Sequence, residues 1–318
     1  MSSANGPGPV VVAMDIGGTG MKCGVVAVDG PVLHTERHDT LASRGPAAVA
    51  AAICDVAAGL ADRARGLGQV PVAAGVAIPG VVDEGRGVAV FAANLGFRDV
   101  PLRDLVAARL GIPAALGHDM RAAGLAEARL GAGHGSDDVI FVGIGTGIAA
   151  AHVRGGHTNS GAHGAAGELG HIVVRPGGPA CACGQRGCLE TIASAASVGR
   201  RYAALTGAEI TAAEVVTRAV AGEDAAGEIW RETVDALADG LLTAQALLDT
   251  EVFVIGGGLG EAGEALLGPL REALAARVTF HRMPRLVKAS LGDTAGLRGA
   301  ALLGLDALAA SDSSVENE

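Results

Sequence analysis

The stretch VVVAMDIGGTGMKCGVVAV, residues 10 to 28, decides the fold. An apolar run ends at Asp15, glycines and a threonine follow, and a second apolar run begins a few residues later. This order predicts a buried strand, a tight glycine turn and a second strand. The alternative interpretation of the glycines is an ordinary hairpin turn that needs positive φ.

Glycines at such a turn let backbone N–H groups point into a concavity that can hold phosphate oxygens. Asp15 at the strand end is a candidate to hold a water of a Mg²⁺ ion, and Thr19 and Lys22 are candidates to contact phosphate. The turn therefore predicts a nucleotide phosphate site. Its candidate cofactor-binding residues are Asp15, Gly17, Gly18, Thr19 and Lys22.

The same pattern recurs along the chain. DVIFVGIGTG, residues 138 to 147, is an apolar strand that enters a Gly/Thr turn, and IGGGLGEAG, residues 255 to 263, follows a further strand. The recurrence suggests an α/β chain with a duplicated half, in which two turns close on one polyphosphate from opposite lobes. These turns add Gly145, Thr146, Gly147, Gly256, Gly257 and Gly258 to the candidate cofactor site.

The third turn formally matches a dinucleotide fingerprint, Gly258-x-Gly260-x-x-Gly263. Two features oppose an NAD(P) oxidoreductase. The motif lies far from the N-terminus, and no acid closes a second strand about 20 residues later. A backbone platform for an adenine nucleotide is the preferred interpretation.

Three cysteines and a histidine form a compact pattern, H-x9-C-x-C-x4-C, with glycines between them for tight turns. Such a set is typical of a closed, structural zinc site, whereas a disulfide framework is unexpected in a reducing compartment. The predicted metal ligands are His171, Cys181, Cys183 and Cys188.

Three acidic residues are candidates to bind or deprotonate the hydroxyl groups of a substrate. Glu168 precedes His171 by three residues and Glu190 follows Cys188 by two, so a zinc knot would fix both carboxylates, which accept hydrogen bonds from vicinal hydroxyls. Asp119 opens a predicted helix after a strand-like run. It is either a helix N-cap or, if the phosphate turns face each other, a general base.

Composition bounds the remaining choices. The 318 residues suit two lobes, and a net charge of -10 with 2% aromatic residues disfavours nucleic acid and anionic membranes as partners. No apolar run reaches the length of about 18 residues that spans a bilayer. The start, MSSANGPGP, lacks the order of a signal peptide, so we expect a cytoplasmic protein with a small-molecule substrate.

These motifs resemble the ROK family (repressor, open reading frame, kinase), in particular its actinobacterial glucokinase-like enzymes. The resemblance covers nearly the whole chain. It rests on DIGGTG, GVAIPGVVDE (75 to 84), Asn94-Leu95-Gly96, Asp119, GIGTG, GELGH, CACGQRGCLE and GGG.

The resemblance implies a two-lobed actin-like ATPase fold, that of the acetate/sugar kinase–Hsp70–actin group, with duplicated ribonuclease H-like domains. An N-terminal lobe would cover residues 1 to 116, and a C-terminal lobe with the zinc-binding loop residues 117 to 297. A last helix, about 298 to 310, would pack back on the first lobe, and residues 311 to 318 would form a disordered tail.

By the same resemblance the protein is an ATP-dependent kinase that phosphorylates the 6-hydroxyl of glucose. Asp119 would be the base, with Mg²⁺ and a structural Zn²⁺ as further cofactors. Family relatives are commonly dimers or tetramers, which implies a homodimer or homotetramer. The predicted sugar-binding residues are Gly80, Asn94, His118, Glu168, His171 and Glu190.

Two departures from the family pattern leave alternatives open. Many relatives carry Asn-Asp-Ala-Asn around the base, whereas residues 118 to 121 read His-Asp-Met-Arg, so N-acetylmannosamine, N-acetylglucosamine or another hexose stays open as substrate. Gly20 stands where many ATP-using relatives have a lysine, which leaves polyphosphate open as donor.

Two further functional classes are disfavoured. A sugar-responsive repressor of the family is disfavoured, because only about ten residues precede the first strand and the net charge is acidic. A catalytically quiet sugar-binding protein is disfavoured because Asp119 is retained.

Overall fold

A computed structural model describes residues 8 to 315, with side chains to residue 311. The chain divides into two compact units. The first unit runs to Ala126 and includes Ser160–Ala165 and the chain from Asp293 onward, and the second consists of Glu127–Asn159 and Ala166–Gly292. The sequence predicted a boundary near residue 116 and a returning helix from about residue 298.

The first unit is built on a five-stranded sheet with the order β3-β2-β1-β4-β8. β1 is antiparallel to β2 and parallel to β4, and β4 is parallel to β8. Its elements are β1 (Pro9–Ile16), β2 (Gly20–Ala27), β3 (Val32–Asp39), α1 (Pro46–Gly66), β4 (Val70–Ile78), β5 (Val81–Asp83), β6 (Val88–Ala92), β7 (Phe97–Val100), α2 (Leu102–Leu110), β8 (Ala114–His118) and the start of α3 (Asp119–Leu130).

Valine, isoleucine and methionine fill β1, and this strand is buried almost throughout because α1 packs on one face of the sheet. The last helix of the chain packs on the other face, where Leu297, Ala300 and Ala301 meet Val11 and Ala73. Strands β5, β6 and β7 form a separate three-stranded antiparallel sheet in the same unit.

The second unit repeats this plan with a five-stranded sheet in the order β11-β10-β9-β12-β13. β9 is antiparallel to β10 and parallel to β12, and β12 is parallel to β13. Its further elements are β9 (Asp138–Ile144), β10 (Ile148–Arg154), β11 (His157–Thr158), α4 (Leu189–Ala193), α5 (Ala195–Thr206), α6 (Ala212–Val220), α7 (Asp224–Leu248), β12 (Val252–Gly256), α8 (Gly257–Gly260), α9 (Glu264–Ala275) and β13 (Arg285–Lys288).

The recurring sheet order confirms the duplicated α/β architecture predicted from the repeated strand-and-turn motif. Several details differ. The sequence pattern up to residue 80 predicts the order strand, strand, helix, strand, which leaves out β3, an edge strand with alternating polar, half-exposed residues. The pattern over residues 189 to 204 predicts one helix, whereas the structure divides it at Ser194, whose hydroxyl accepts a hydrogen bond from Ser197 N and caps α5.

The chain ends in α10 (Ala295–Val315), which begins three residues before the predicted helix and runs into the segment predicted as a tail. Residues 1 to 7, and residues 316 to 318 of the predicted tail, lie outside the described residues. Within residues 8 to 315, none of the helices combines the length and the apolar character needed to cross a bilayer.

Candidate functional site

The first glycine turn connects β1 to β2. Gly17 N donates a hydrogen bond of 2.8 Å to Gly20 O, which closes the turn. Neither Gly17 nor Gly18 has a positive φ, so the alternative of a turn that needs left-handed backbone does not apply to them. Position 18 needs a glycine because space is limited there: a methyl group would lie 3.0 Å from Cβ of Asn94. The turn and this predicted sugar-binding residue therefore touch.

A cavity of about 800 Å³ opens beside this turn within the first unit. It brings the predicted phosphate-binding residues and the predicted base to one place. Its chemically relevant lining residues are Asp15, Thr19, Lys22, Arg37, His38 and Asp119.

Asp15 is electrostatically strained in this cavity. Burial, together with the smaller effects of the negative charges of Asp119 and Asp293, raises the pKa of its carboxyl to about 6 against the opposing effect of Lys22. Two carboxylates that repel each other across a polar cavity suit a divalent cation, because the cation relieves both the burial and the repulsion. The residues present therefore fit Mg²⁺.

Lys22 lies opposite Asp15 in the β1/β2 register and forms an ion pair with Asp293. Arg37 Nη2 also donates a hydrogen bond of 2.7 Å to the Asp293 carboxylate. The hydrogen bond from Lys22 is the main reason why the pKa of Asp293 is lowered. Asp293, which the sequence did not identify as a candidate, therefore holds Lys22 beside the glycine turn.

Asp119 is the first residue of α3 and follows directly on β8. Its Oδ1 accepts a hydrogen bond of 2.6 Å from Met120 N, and His118 Nδ1 lies 3.4 Å from the same oxygen. Asp119 is thus at a helix start, as the N-cap alternative required, and at the cavity, as a base requires.

Gly80 connects β4 to β5 with a φ of 103°, and a side chain there would meet the backbone of Phe91 and Ala92. Its role in the structure is therefore a tight backbone approach. Gly80, Asn94 and His118 lie in the first unit but outside the lining of the cavity.

The second glycine turn lies in the second unit between β9 and β10. Gly145 N donates a hydrogen bond of 2.9 Å to Gly147 O, and Thr146 is exposed. Glu190 supports this turn: its Oε2 accepts a hydrogen bond of 2.9 Å from Ile148 N, and a side chain at Gly147 would collide with that oxygen. A predicted sugar-binding acid and a predicted phosphate turn are therefore in contact.

The third turn follows β12. Gly257 has a φ of 76°, and a methyl group there would lie 2.6 Å from Ile144 N. Gly256 lies against the Phe141 ring, whereas Gly258 is open and lines a cavity of about 420 Å³ between α6 and α8. This cavity has a mainly apolar wall that suits a flat aromatic ring such as adenine.

The predicted metal ligands converge in the second unit, where the ligand atoms of His171, Cys181, Cys183 and Cys188 all lie within 4.8 Å of one another. Cys183 Sγ is 3.6 Å from Cys188 Sγ. Zn–S bonds of about 2.3 Å in a tetrahedron place two sulfurs about 3.8 Å apart. A set of three sulfurs and one nitrogen at this spacing fits zinc.

His171 faces the sulfurs with one ring nitrogen and an acid with the other. Nδ1 lies 3.5 Å from Cys181 Sγ, and Nε2 lies 3.7 Å from Glu168 Oε2. Metal-bound histidines commonly direct their second nitrogen at a carboxylate, which fixes the ring. Glu168 therefore lies beside the cysteine cluster in the structure.

Solved structures share this fold over nearly its full length. A ROK hexokinase from Thermus thermophilus matches with a TM-score of 0.83 and 33% identity, over 95% of this chain and 99% of that chain. A ROK family glucokinase from Streptomyces griseus, in complex with glucose and AMPPNP, matches with a TM-score of 0.77 and 32% identity, over 93% and 99%. The fold is therefore the actin-like ATPase fold of sugar kinases.

Residues 11–307 match the ROK family. A glucokinase from Thermotoga maritima is 34% identical over 92% of this chain and 96% of its own length. An N-acetylmannosamine kinase from Shigella boydii is 32% identical over 92% of this chain and 97% of its own length. The chain belongs to the ROK family.

Proposed function

We propose that the protein transfers the γ-phosphoryl group of ATP to the 6-hydroxyl of glucose. The observation that carries this proposal is the cavity of the first unit, where Asp119 and the first glycine turn line one space. Membership of the ROK family and the similarity to glucokinases support a sugar as acceptor and ATP as donor.

Asp119 is the proposed general base. It accepts the proton of the sugar hydroxyl as that oxygen attacks phosphorus, which is the usual role of a carboxylate in phosphoryl transfer. Met120 N holds Oδ1, so the carboxylate keeps a fixed orientation with Oδ2 as the oxygen that meets the hydroxyl. Positioning of this kind is a large part of catalysis in phosphoryl transfer.

The first glycine turn, Gly17 to Thr19, is the proposed site of the donor phosphates. Gly18 and Thr19 would offer backbone N–H groups and Thr19 also a hydroxyl, while Gly17 N closes the turn on Gly20 O. Asp15 would hold Mg²⁺ through water. When bound, Mg²⁺ would supply positive charge that neutralises the negative charge developing on the phosphates. Gly145, Thr146 and Gly147 would contact phosphate from the second turn, and Gly256, Gly257 and Gly258 would bind the adenosine.

Glu168, His171 and Glu190 are the proposed partners of the remaining sugar hydroxyls, together with Gly80, Asn94 and His118. Zn²⁺ is the proposed occupant of the cysteine cluster, because the thiolate-rich donor set suits it. Through His171 Nε2 the cluster orients Glu168, and through α4 it fixes Glu190, which follows Cys188 by two residues. Assembly into a homodimer or homotetramer and residence in the cytoplasm stay predictions from the sequence.

A coupled assay of ADP release over a panel of hexoses tests the proposal. Glucose is expected to give the highest kcat/KM. ADP release without a phosphorylated sugar, or no dependence on any sugar, would reject the kinase proposal.

A second substrate class is favoured by one observation, the replacement of the asparagine of many relatives by His118, which lies beside the base. The same panel therefore includes N-acetylmannosamine and N-acetylglucosamine. A further arm replaces ATP by polyphosphate, because Gly20 stands at the lysine position and Lys22 lies two residues later.

A further inference from the structure

An ion pair between Glu84 and Arg121 lies next to the proposed base. Arg121 Nε donates a hydrogen bond of 2.8 Å to Glu84 Oε1. The side chain of Arg121 is 3% exposed and that of Glu84 is 24% exposed, so the guanidinium is withdrawn from water. Neither residue lines the cavity that holds Asp119.

The same carboxylate oxygen also accepts a hydrogen bond of 3.2 Å from His118 N. One atom of Glu84 therefore ties down the residue before Asp119 and the residue two positions after it. Because both bonds reach the junction of β8 and α3, they fix the backbone from which the Asp119 side chain projects.

Arg121 continues the network to a third segment of the first unit. Its Nη1 donates a hydrogen bond of 3.1 Å to Gly164 O. Gly164 has a φ of 74°, and a methyl group there would lie 2.6 Å from Val82 O on β5. The segment Ser160–Ala165 is thus held against β5, which leads directly into Glu84.

A buried ion pair is a weak way to stabilise a fold, because the loss of hydration offsets much of the attraction between the charges. Well-packed apolar residues of similar volume are often as good or better for stability. What apolar side chains do not supply is directed hydrogen bonding to a backbone N–H on one side and a carbonyl on the other. The geometry therefore favours a role in orientation.

We propose that Glu84 and Arg121 are positioning residues that set the orientation of Asp119 for proton transfer. This inference rests on the proposed kinase function with Asp119 as base.

The test is a double-mutant cycle of Glu84→Gln, Arg121→Gln and the double variant, with kcat and KM measured for glucose and for ATP. A misplacement of about 1 Å costs on the order of 10²-fold in rate. We expect each single variant to lose about 10- to 100-fold in kcat, with the KM for glucose within about 3-fold of wild type. The double variant should lose no more than the worse single variant, because the two residues act as a unit.

Single-variant losses that multiply in the double variant, or a kcat within about 2-fold of wild type in each, would overturn the proposal. Arg121→Lys covers the case in which the glutamine variants do not fold. It keeps the charge but not the fork that reaches both Glu84 and Gly164, so kcat should fall about 10-fold while the Tm stays near that of wild type. A wild-type kcat in Arg121→Lys would contradict the proposal by itself.

Leu60→Ala is the matched control, because it removes a fully buried side chain of α1 in the same unit without touching the network. It should lower the Tm but leave kcat unchanged below the transition. A wild-type protein that phosphorylates no sugar would reject the proposed function. An active wild type with unaffected Glu84 and Arg121 variants would reject the positioning role alone.

Discussion

The two units share one sheet plan but differ in the side chains that their glycine turns carry. In the first unit the strand before the turn carries an acid at its second-last position, Asp15, and Lys22 lies opposite it on β2. In the second unit the corresponding position of β9 is Gly143, and the turn is supported by Glu190 on α4. The same kind of glycine turn therefore lies beside charged side chains in the first unit, whereas in the second unit a side chain from a separate helix supports it.

The difference indicates a division of labour. The first unit brings Asp15 and Asp119 together, where their mutual repulsion and burial prepare a cation site. In the second unit Glu168 lies 3.7 Å from His171 of the cysteine cluster and Glu190 follows Cys188 by two residues, so under the proposed function both acids depend on a metal in this cluster. Substitutions of Asp15 and Asp119 should therefore mainly change kcat, whereas those of the cysteine cluster and its two acids should mainly change the KM for sugar.

The largest effect is expected from Asp119→Asn. Removal of a general base typically costs 10²- to 10⁴-fold in rate, so we expect kcat for glucose phosphorylation to fall by about 10³-fold. Glucose affinity, measured by calorimetry, should change little because the amide keeps the shape of the side chain. A kcat near that of wild type would remove Asp119 from the mechanism.

Cys183→Ser tests the proposed metal site of the second unit. Loss of one thiolate weakens the metal site, and we expect a lower zinc content, a lower Tm and a KM for glucose raised by about 10- to 100-fold. Metal analysis and kinetics of the same sample provide the measurement. Cys54→Ser, on α1 and outside the cluster, is the control. A metal-free Cys183 variant with normal glucose affinity would disprove the coupling.

Asp15→Asn should make the protein more stable at pH 7 but less active. With a pKa of 3.8 when unfolded and about 6 when folded, Asp15 binds its proton more tightly in the folded state. Its contribution to stability is therefore full below about pH 4 and is lost as the pH rises to about 6, a difference of at most about 3 kcal/mol.

The asparagine variant does not carry this penalty. In Mg²⁺-free buffer its free energy of unfolding should exceed that of wild type at pH 7, and the difference should shrink as the pH falls toward 4. Its kinase activity should be far lower. Urea titrations at several pH values measure this, and a wild type as stable as the variant at pH 7 would contradict the assigned cost of burial.

The smallest effect is expected from Gly147→Ala in the second turn. The new methyl group meets Glu190 Oε2 and displaces it from Ile148 N. Loss of one such hydrogen bond is worth about 1 kcal/mol, so the KM for glucose should rise about 5-fold. Gly227→Ala, on α7 with open space around it, is the control and should behave as wild type. An unchanged KM in Gly147→Ala would argue against a role of Glu190 in sugar binding.

Local patterns made much of this architecture predictable. The strand-and-glycine motifs predicted β1, β9 and β12, because short apolar runs that end at glycines are typical of buried strands. The cysteine spacing predicted that His171 and the three cysteines would lie together, since the short loops between them contain glycines that allow tight turns. Ser194 also carried a readable helix signal, a serine three residues before its hydrogen-bond partner Ser197, which the single predicted helix overlooked.

The rest depends on contacts between residues far apart in the chain. Lys22 and Asp293 are 271 residues apart, and nothing near either residue predicts the ion pair. Glu84 and Arg121 likewise meet only because β8 lies beside β4, which leads through β5 to Glu84. The edge strand β3 was missed because its polar, alternating pattern resembles that of a surface loop.

Under the proposed function, Asp119 and the first glycine turn carry out phosphoryl transfer to a sugar. Phosphorus NMR of the protein with ATP, Mg²⁺ and glucose measures this transfer directly. We expect the ATP γ-phosphorus signal to be replaced by that of glucose 6-phosphate in wild type, and to persist in Asp119→Asn although glucose still binds. Release of inorganic phosphate without a sugar phosphate, or the same product at the same rate from both proteins, would contradict it.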